Sequence, residues 1–206
     1  MNKFLRFPLL ASFAMASLTL PALARQNTPE PSVDALVSEA LMTELSEMVS
    51  HPVVVSAVRA RNVRTYSLSQ TEVDELDQAW LREKDGDGAQ PYIAAALGSP
   101  VSTYLLRQQA QSKGLYNEIF VMDLKGLNVG QSSITSDFWQ GDEAKFQKTV
   151  PLGKGAIFID EPEFLEDTGI WVVQVNMTLD DEGEVIGCST IELNLTELSR
   201  RQELGL

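Results

Sequence analysis

The feature that most constrains the fold is a change of sequence pattern near residue 115. Before it, apolar residues recur at three- and four-residue steps, and after it short strand-like runs alternate with turn residues. Helices followed by strands are typical of an α+β fold. We therefore expect a helical N-terminal part at residues 34–114, a five-stranded antiparallel sheet at 115–196 and a C-terminal tail at 197–206.

Local signals place the helices. One apolar stripe runs from Leu36 to Val49, and Pro52 interrupts it. Later helix starts are marked by a capping box and by prolines at the first helical position. These residues are Ser69 with Glu72, Pro91 and Pro100.

Strand-like runs make up most of the remaining chain, and turn residues separate them. The predicted strands are Asn117–Leu124, Leu127–Ser132, Ala156–Asp160, Ile170–Leu179 and Glu184–Asn194. The connection between the second and third of these is polar and is predicted to contain a helix.

The first 24 residues have the pattern of a secretory signal peptide. Lys3 and Arg6 form a basic start, Phe7–Leu20 is apolar, and Ala22–Ala24 is an A-x-A cleavage site. A membrane anchor is the alternative, although the apolar run is short for one. Residues 25–33 are expected to be a disordered lead-in, and the mature chain is expected to be exported.

The net charge of the chain limits the classes of molecule that it is expected to bind. The chain carries a formal net charge of −13, and cleavage of the predicted signal peptide, with Lys3 and Arg6, would make it −15. An excess of negative charge argues against nucleic acid and anionic lipid as partners. Cys188 is the single cysteine, so the chain cannot form an internal disulfide.

The polar connection TSDFWQGDEAKFQKT, Thr135–Thr149, combines a tryptophan, three carboxylates and two lysines. One interpretation is structural, with carboxylates at a helix start, lysines at its end and the tryptophan in the core. The other is a cover over a bound molecule. Trp139 would supply apolar area and a face that attracts cations, while Asp137 and Asp142 would pair with an ammonium or guanidinium group.

The order of elements resembles that of a single Cache domain, also called PDC, which is a PAS-like extracytoplasmic sensor domain of bacteria. Two runs carry the resemblance: EIFVMDLKGLNVGQSSITSDFWQGDEAKFQKT, Glu118–Thr149, and HPVVVSAVRARN, His51–Asn62. With the strands, it extends over roughly residues 34–195. The chain departs from the family pattern because no predicted membrane span follows the sheet. A free-standing periplasmic form is therefore expected.

The resemblance implies a ligand between the sheet and the polar connection. The implied ligand is a small polar or cationic molecule, with no cofactor, and the bound form would signal through a separate membrane partner such as a histidine kinase or a cyclase. The arginine and tyrosine pattern of amino-acid-binding double Cache receptors is not evident. The candidate ligand-binding residues are Asp137, Trp139, Asp142, Gln131, Phe158 and Gln174.

Three alternatives stay open. The apolar stripe of Leu41, Leu45 and Met48 could pair with a second copy, giving a homodimer or a structural protein without a ligand. A small hydrolase would need two converging carboxylates, whereas Asp142 and Glu143 are adjacent and point about 100° apart on a helix, so no catalysis is expected. The acidic stretch at residues 160–167 is either a solvated hairpin or a calcium site.

Overall fold

The structure, a computed structural model, describes residues 29–206; the predicted signal peptide and residues 25–28 of the lead-in lie outside this range. The helices are α1 (Val33–Leu36), α2 (Glu39–Val49), α3 (Pro52–Thr65), α4 (Gln70–Asp85), α5 (Pro91–Leu97), α6 (Pro100–Gln111), α7 (Ala144–Gln147) and α8 (Leu195–Leu204). The strands are β1 (Tyr116–Met122), β2 (Asn128–Gln131), β3 (Ile157–Ile159), β4 (Glu163–Leu165), β5 (Ile170–Asp181) and β6 (Glu184–Asn194). The expected α+β fold class is confirmed.

The strands form one antiparallel sheet in the order β2-β1-β6-β5-β3, and β4 also pairs with β5. The sheet has six strands rather than five because Glu163–Leu165, inside the acidic stretch, pairs with the first residues of β5. β4 has only three residues and lies between Pro162 and the acidic residues Glu166 and Asp167, so it leaves little local signal.

The C-terminal residues expected to be a tail are mostly helical, in α8. The Asn194 side chain accepts a hydrogen bond from the Glu197 backbone N–H and caps the helix start. Arg201 pairs with Glu197 one turn earlier, and Gly205 ends the helix in the left-handed conformation. These are ordinary helix signals, which the sequence analysis overlooked.

The helix starts agree with their local signals. Ser69 and Glu72 form the capping box of α4. Pro52, which interrupts the apolar stripe, is the first residue of the separate helix α3, and His51 is the N-cap, with Nδ1 accepting from the Val53 N–H at 3.2 Å. The His51 ring also stacks on Tyr104, so this histidine has a structural role.

One face of the sheet packs against α2, α3, α6 and α8 in the main core. Leu41, Leu45 and Met48 belong to this core and are only 8%, 0% and 7% exposed. Pairing with a second copy through these three side chains, the proposed route to a homodimer, is therefore wrong, because the stripe is used inside the domain.

A separate aromatic cluster joins the front helices to the polar connection. Trp80 is fully buried, stacks on Phe138 and meets the edge of Tyr92. Its indole N–H donates to the Thr135 backbone carbonyl at 3.1 Å. The cluster thereby anchors the first half of the connection against α4 and α5.

Within residues 29–206, no helix has both the length and the apolar character needed to cross a membrane.

Candidate functional site

The sheet face opposite the main core carries rows of polar residues. Register places Glu118 of β1 beside Glu192 of β6, which in turn lies beside Gln174 of β5. The next row aligns Phe120, Thr190, Asn176 and Phe158. Alternation along antiparallel strands keeps these side chains on one face, and the apolar core residues lie between them on the other.

The second half of the polar connection covers this face. Phe146 of α7 packs with Phe120, Met122 and Cys188. Lys145 is buried, and its Nζ lies 2.9 Å from a Glu143 carboxylate oxygen and 3.2 Å from Gln140 Oε1. The buried ammonium is therefore neutralised within the connection itself.

A cavity of about 230 Å³ lies between the connection and the sheet, and we call it the acidic cavity. Lys145 and Gln174 line it, together with five carboxylates against the one ammonium. The carboxylates are Glu143, Asp160, Glu161, Glu163 and Glu192. An excess of carboxylates in a recess favours a cation over an anion.

The carboxyl pKa of Glu118, the sheet neighbour of Glu192, is also shifted. Burial raises the pKa of Glu118, and the neighbouring charge of Glu192 raises it further. The hydrogen bond from Ser133 and the charge of Lys145 act in the opposite direction. A positively charged ligand would relieve the repulsion between Glu118 and Glu192 and would lower the pKa of Glu118.

The structure separates the six predicted site residues. Gln174 lines the acidic cavity, and its Nε2 donates to Glu192 Oε2 at 3.3 Å. Phe158 lies on the same face, where its ring contacts the Lys148 ammonium at 4.0 Å. Gln131 is buried on β2, and its Nε2 donates to the Ser133 carbonyl. Neither Phe158 nor Gln131 lines the acidic cavity.

Asp137, Trp139 and Asp142 line a different recess of about 400 Å³, on the side of α4. The Trp139 indole N–H donates to the Lys125 carbonyl at 2.8 Å, and its backbone N–H donates to Asp77 Oδ1 at 3.0 Å. Gly141 is needed here because a Cβ at this position would overlap the Trp139 indole. These contacts give Trp139 a structural role, and ligand contact by the three residues stays a prediction.

Sequence reasoning missed the acidic residues contributed by β6 and by the segment around β4. Glu192 could have been found because it lies between the apolar residues Ile191 and Leu193, so alternation along β6 places it on the opposite face of the sheet. Glu163 had no comparable signal because β4 was not predicted. Among residues 29–206, no group of three or more His, Cys, Asp or Glu side chains is arranged to hold a metal ion.

No protein-family model matches the chain, and a search of curated proteins finds no match. Among solved structures, the ligand-binding domain of the Pseudomonas aeruginosa PAO1 amino acid chemoreceptor PctC, in complex with GABA, matches with a TM-score of 0.40 and 13% identity over 78% of this chain and 62% of that chain. The ligand-binding domain of the Campylobacter jejuni chemoreceptor Tlp3, in complex with 4-methylisoleucine, matches with a TM-score of 0.38 and 13% identity over 82% and 66%.

The extracellular domain of rpHK1S-Z16, described as a histidine kinase, matches with a TM-score of 0.41 and 16% identity over 84% of this chain and 64% of that chain. The matches therefore span less than two thirds of the length of each of these three solved domains.

Proposed function

We propose that this chain is a Cache-like sensor domain that binds a small cationic molecule outside the cytoplasm and has no catalytic activity. The observation that carries the proposal is the acidic cavity, which lies between the sheet and the polar connection. This is the position that the sequence resemblance implies for a ligand. Its volume of about 230 Å³ suits a small amine better than a nucleotide or a peptide.

The arrangement of the cavity supports binding rather than catalysis. Its carboxylates belong to β6, to the segment around β4 and to the polar connection, and Lys145 is already paired with Glu143. The single histidine of the chain, His51, caps α3 away from the cavity. Nucleophilic catalysis usually relies on a histidine, cysteine, serine or threonine with an activating partner, and the cavity lining contains none of these four residue types. Carboxylates from separate elements do converge here, which is the condition that the hydrolase alternative requires, so that alternative depends on whether a bound ligand is turned over.

The sheet itself offers a route for a signal. Glu192 faces the acidic cavity, while its neighbours Ile191 and Leu193 are fully buried in the core that α2, α3 and α8 cover. A ligand that draws the connection onto the sheet would shift these strands against the helices. A separate membrane partner, such as a histidine kinase or a cyclase, would recognise the shifted helices.

The proposal is tested by a thermal-shift screen with small amines, amino acids, carboxylates, nucleobases and calcium. A ligand at a hundred times its dissociation constant stabilises the folded state by about 2.7 kcal/mol. Amines should raise the melting temperature, and Glu163→Gln and Glu192→Gln should each reduce the shift. Glu184→Gln, an exposed carboxylate on the β5–β6 hairpin, is the matched control.

Two results would contradict the proposal. One is no shift with any amine, and the other is a shift that both cavity variants and the control retain equally. A shift only with calcium would instead point to the acidic stretch as a metal site. Shifts lost only in Asp137→Ala or Trp139→Ala would move the ligand to the recess beside α4.

A further inference from the structure

A second cavity, of about 500 Å³, lies between α3, α5, β2 and the first half of the polar connection. Its charged lining residues are Arg61 and Arg64, and its lining includes no carboxylate. Tyr92, Phe138 and Asn128 also line it. We call it the arginine cavity. Two guanidinium groups around one recess are unexpected in a chain with a net charge of −13.

Hydrogen-bonding groups without partners converge on this cavity. Within residues 29–206, four buried side-chain nitrogen or oxygen atoms have no hydrogen-bond partner. Three of them belong to residues that line the arginine cavity: Arg61 Nε, Tyr92 Oη and Asn128 Oδ1. Buried polar groups are nearly always satisfied, so three such atoms in one place call for a polar partner inside the cavity, which is either ordered water or a ligand.

Asn128 supplies the acceptor. Its side chain is 3% exposed, and its Nδ2 donates to Thr135 Oγ1 at 2.9 Å and to the Asp137 carbonyl at 3.1 Å. These two bonds fix the amide orientation, because an oxygen in the Nδ2 position would face the Asp137 carbonyl. Asn128 Oδ1 is therefore held as an unused acceptor and requires a ligand O–H or N–H.

Arg61 and Tyr92 supply donors. Arg61 Nε lies 4.0 Å from Asp123 Oδ2, too far for a hydrogen bond, and its guanidinium lies 5.4 Å from the Phe138 ring centroid. Burial raises the pKa of Tyr92 to about 12, although the charge of Arg61 and its N–H groups near the phenol oxygen act in the opposite direction, so the phenol keeps its proton and has an O–H to donate at neutral pH. Two donors that include a guanidinium are suited to a carboxylate.

We propose that the arginine cavity binds a small hydroxycarboxylate with an apolar body. The carboxylate would accept from Arg61 and Tyr92, with Arg64 contributing charge, and the hydroxyl would donate to Asn128 Oδ1. The apolar body would contact Phe138 and Val129. This site is separate from the acidic cavity, and the inference does not depend on the function proposed for that cavity.

The test is isothermal titration calorimetry of the purified protein with mandelate, which combines a carboxylate, a hydroxyl and an aromatic body. Phenylacetate lacks the hydroxyl and mandelamide lacks the charge, so the affinity of each should be at least about tenfold lower than that of mandelate. The loss of the hydroxyl leaves Asn128 Oδ1 without a partner, and the loss of the charge removes the attraction between the ligand and the two guanidinium groups.

Two variants test the residues. Tyr92→Phe removes only the unpartnered hydroxyl, and Arg64→Gln removes an exposed charge, so both should fold normally and bind mandelate about tenfold more weakly. Arg107→Gln, an exposed arginine on α6 outside the cavity, should leave binding unchanged. No saturable binding of mandelate at millimolar concentrations would overturn the proposal and would leave ordered water as the partner of the three orphan atoms. Equal binding by wild type and both cavity variants would also overturn it.

Discussion

The acidic cavity and the arginine cavity differ in how their polar groups are satisfied. In the acidic cavity Lys145 is paired with Glu143, and Glu192 accepts hydrogen bonds from Asn117 and Gln174. In the arginine cavity three buried atoms have no partner. The first cavity therefore offers mainly charge to a ligand, whereas the second offers unused hydrogen bonds with fixed directions.

The two cavities also rest on different supports. Phe146, which packs on Phe120, Met122 and Cys188, holds the connection over the acidic cavity. The stacked rings of Trp80, Phe138 and Tyr92 support the arginine cavity. We expect the arginine cavity to be rigid and preformed, and the acidic cavity to respond more to its ligand. Substitutions in the two supports and in the cavity walls test that difference.

Trp80→Ala should destabilise the fold by about 3–5 kcal/mol, because it removes a fully buried indole and its hydrogen bond to Thr135. Urea unfolding measures the loss. Phe146→Ala, in the cover of the acidic cavity, should cost less, because Phe146 is still 9% exposed. A larger loss for Phe146→Ala would reverse the assignment of the rigid and responsive regions.

Lys145→Gln should strengthen amine binding in the acidic cavity by about fivefold, since it removes the one ammonium and frees Glu143. Calorimetric titration with putrescine measures the change, and mandelate affinity provides the control because Lys145 lies outside the arginine cavity. Weaker amine binding by this variant would show that Lys145 contacts the ligand itself.

Tyr104→Phe and Tyr92→Phe form a matched pair. The Tyr104 hydroxyl donates to the Met48 carbonyl at 2.9 Å, so its removal should cost about 1 kcal/mol of unfolding free energy. The Tyr92 O–H donates to no protein group, so its removal should change stability by less than about 0.5 kcal/mol in the absence of ligand. Equal losses in urea unfolding would mean that Tyr92 already has a partner.

The smallest expected effect is on the pH dependence of stability. Because the pKa of Glu118 is raised in the folded state, the native protein binds its proton more tightly than the unfolded chain does. Stability should therefore fall as the pH rises from the ordinary glutamate range through the raised pKa. Glu118→Gln should remove this fall in melting curves between about pH 4 and pH 8. A steeper fall in the variant would contradict the direction assigned to Glu118.

The fold was largely predictable because its signals are local. The Ser69–Glu72 capping box, Pro91 and Pro100 each begin the helix they predict. The short strand β4 was missed because its pairing with β5 depends on residues outside its own run. Local propensity carries little information about such a pairing.

The site was less predictable because the polar connection divides between two surroundings. Its first half, with Asp137 and Trp139, packs against α4, while its second half, with Lys145 and Phe146, covers the sheet. The sequence-based prediction assigned the whole polar connection to a single cover over one ligand. The arginine cavity could not be predicted from the sequence for a related reason. Its residues Arg61, Tyr92 and Asn128 come from α3, α5 and β2 and meet only in the folded chain.

The most direct test of the acidic cavity as a ligand site is a calorimetric titration of the purified protein with putrescine, beside Glu163→Gln, Glu192→Gln and the Glu184→Gln control. We expect saturable one-site binding by wild type and the control, with affinity reduced by about tenfold in each cavity variant. No binding by wild type, or equal binding by all four proteins, would contradict the proposal that this chain is a sensor. That proposal requires a small cation to bind between the sheet and the polar connection.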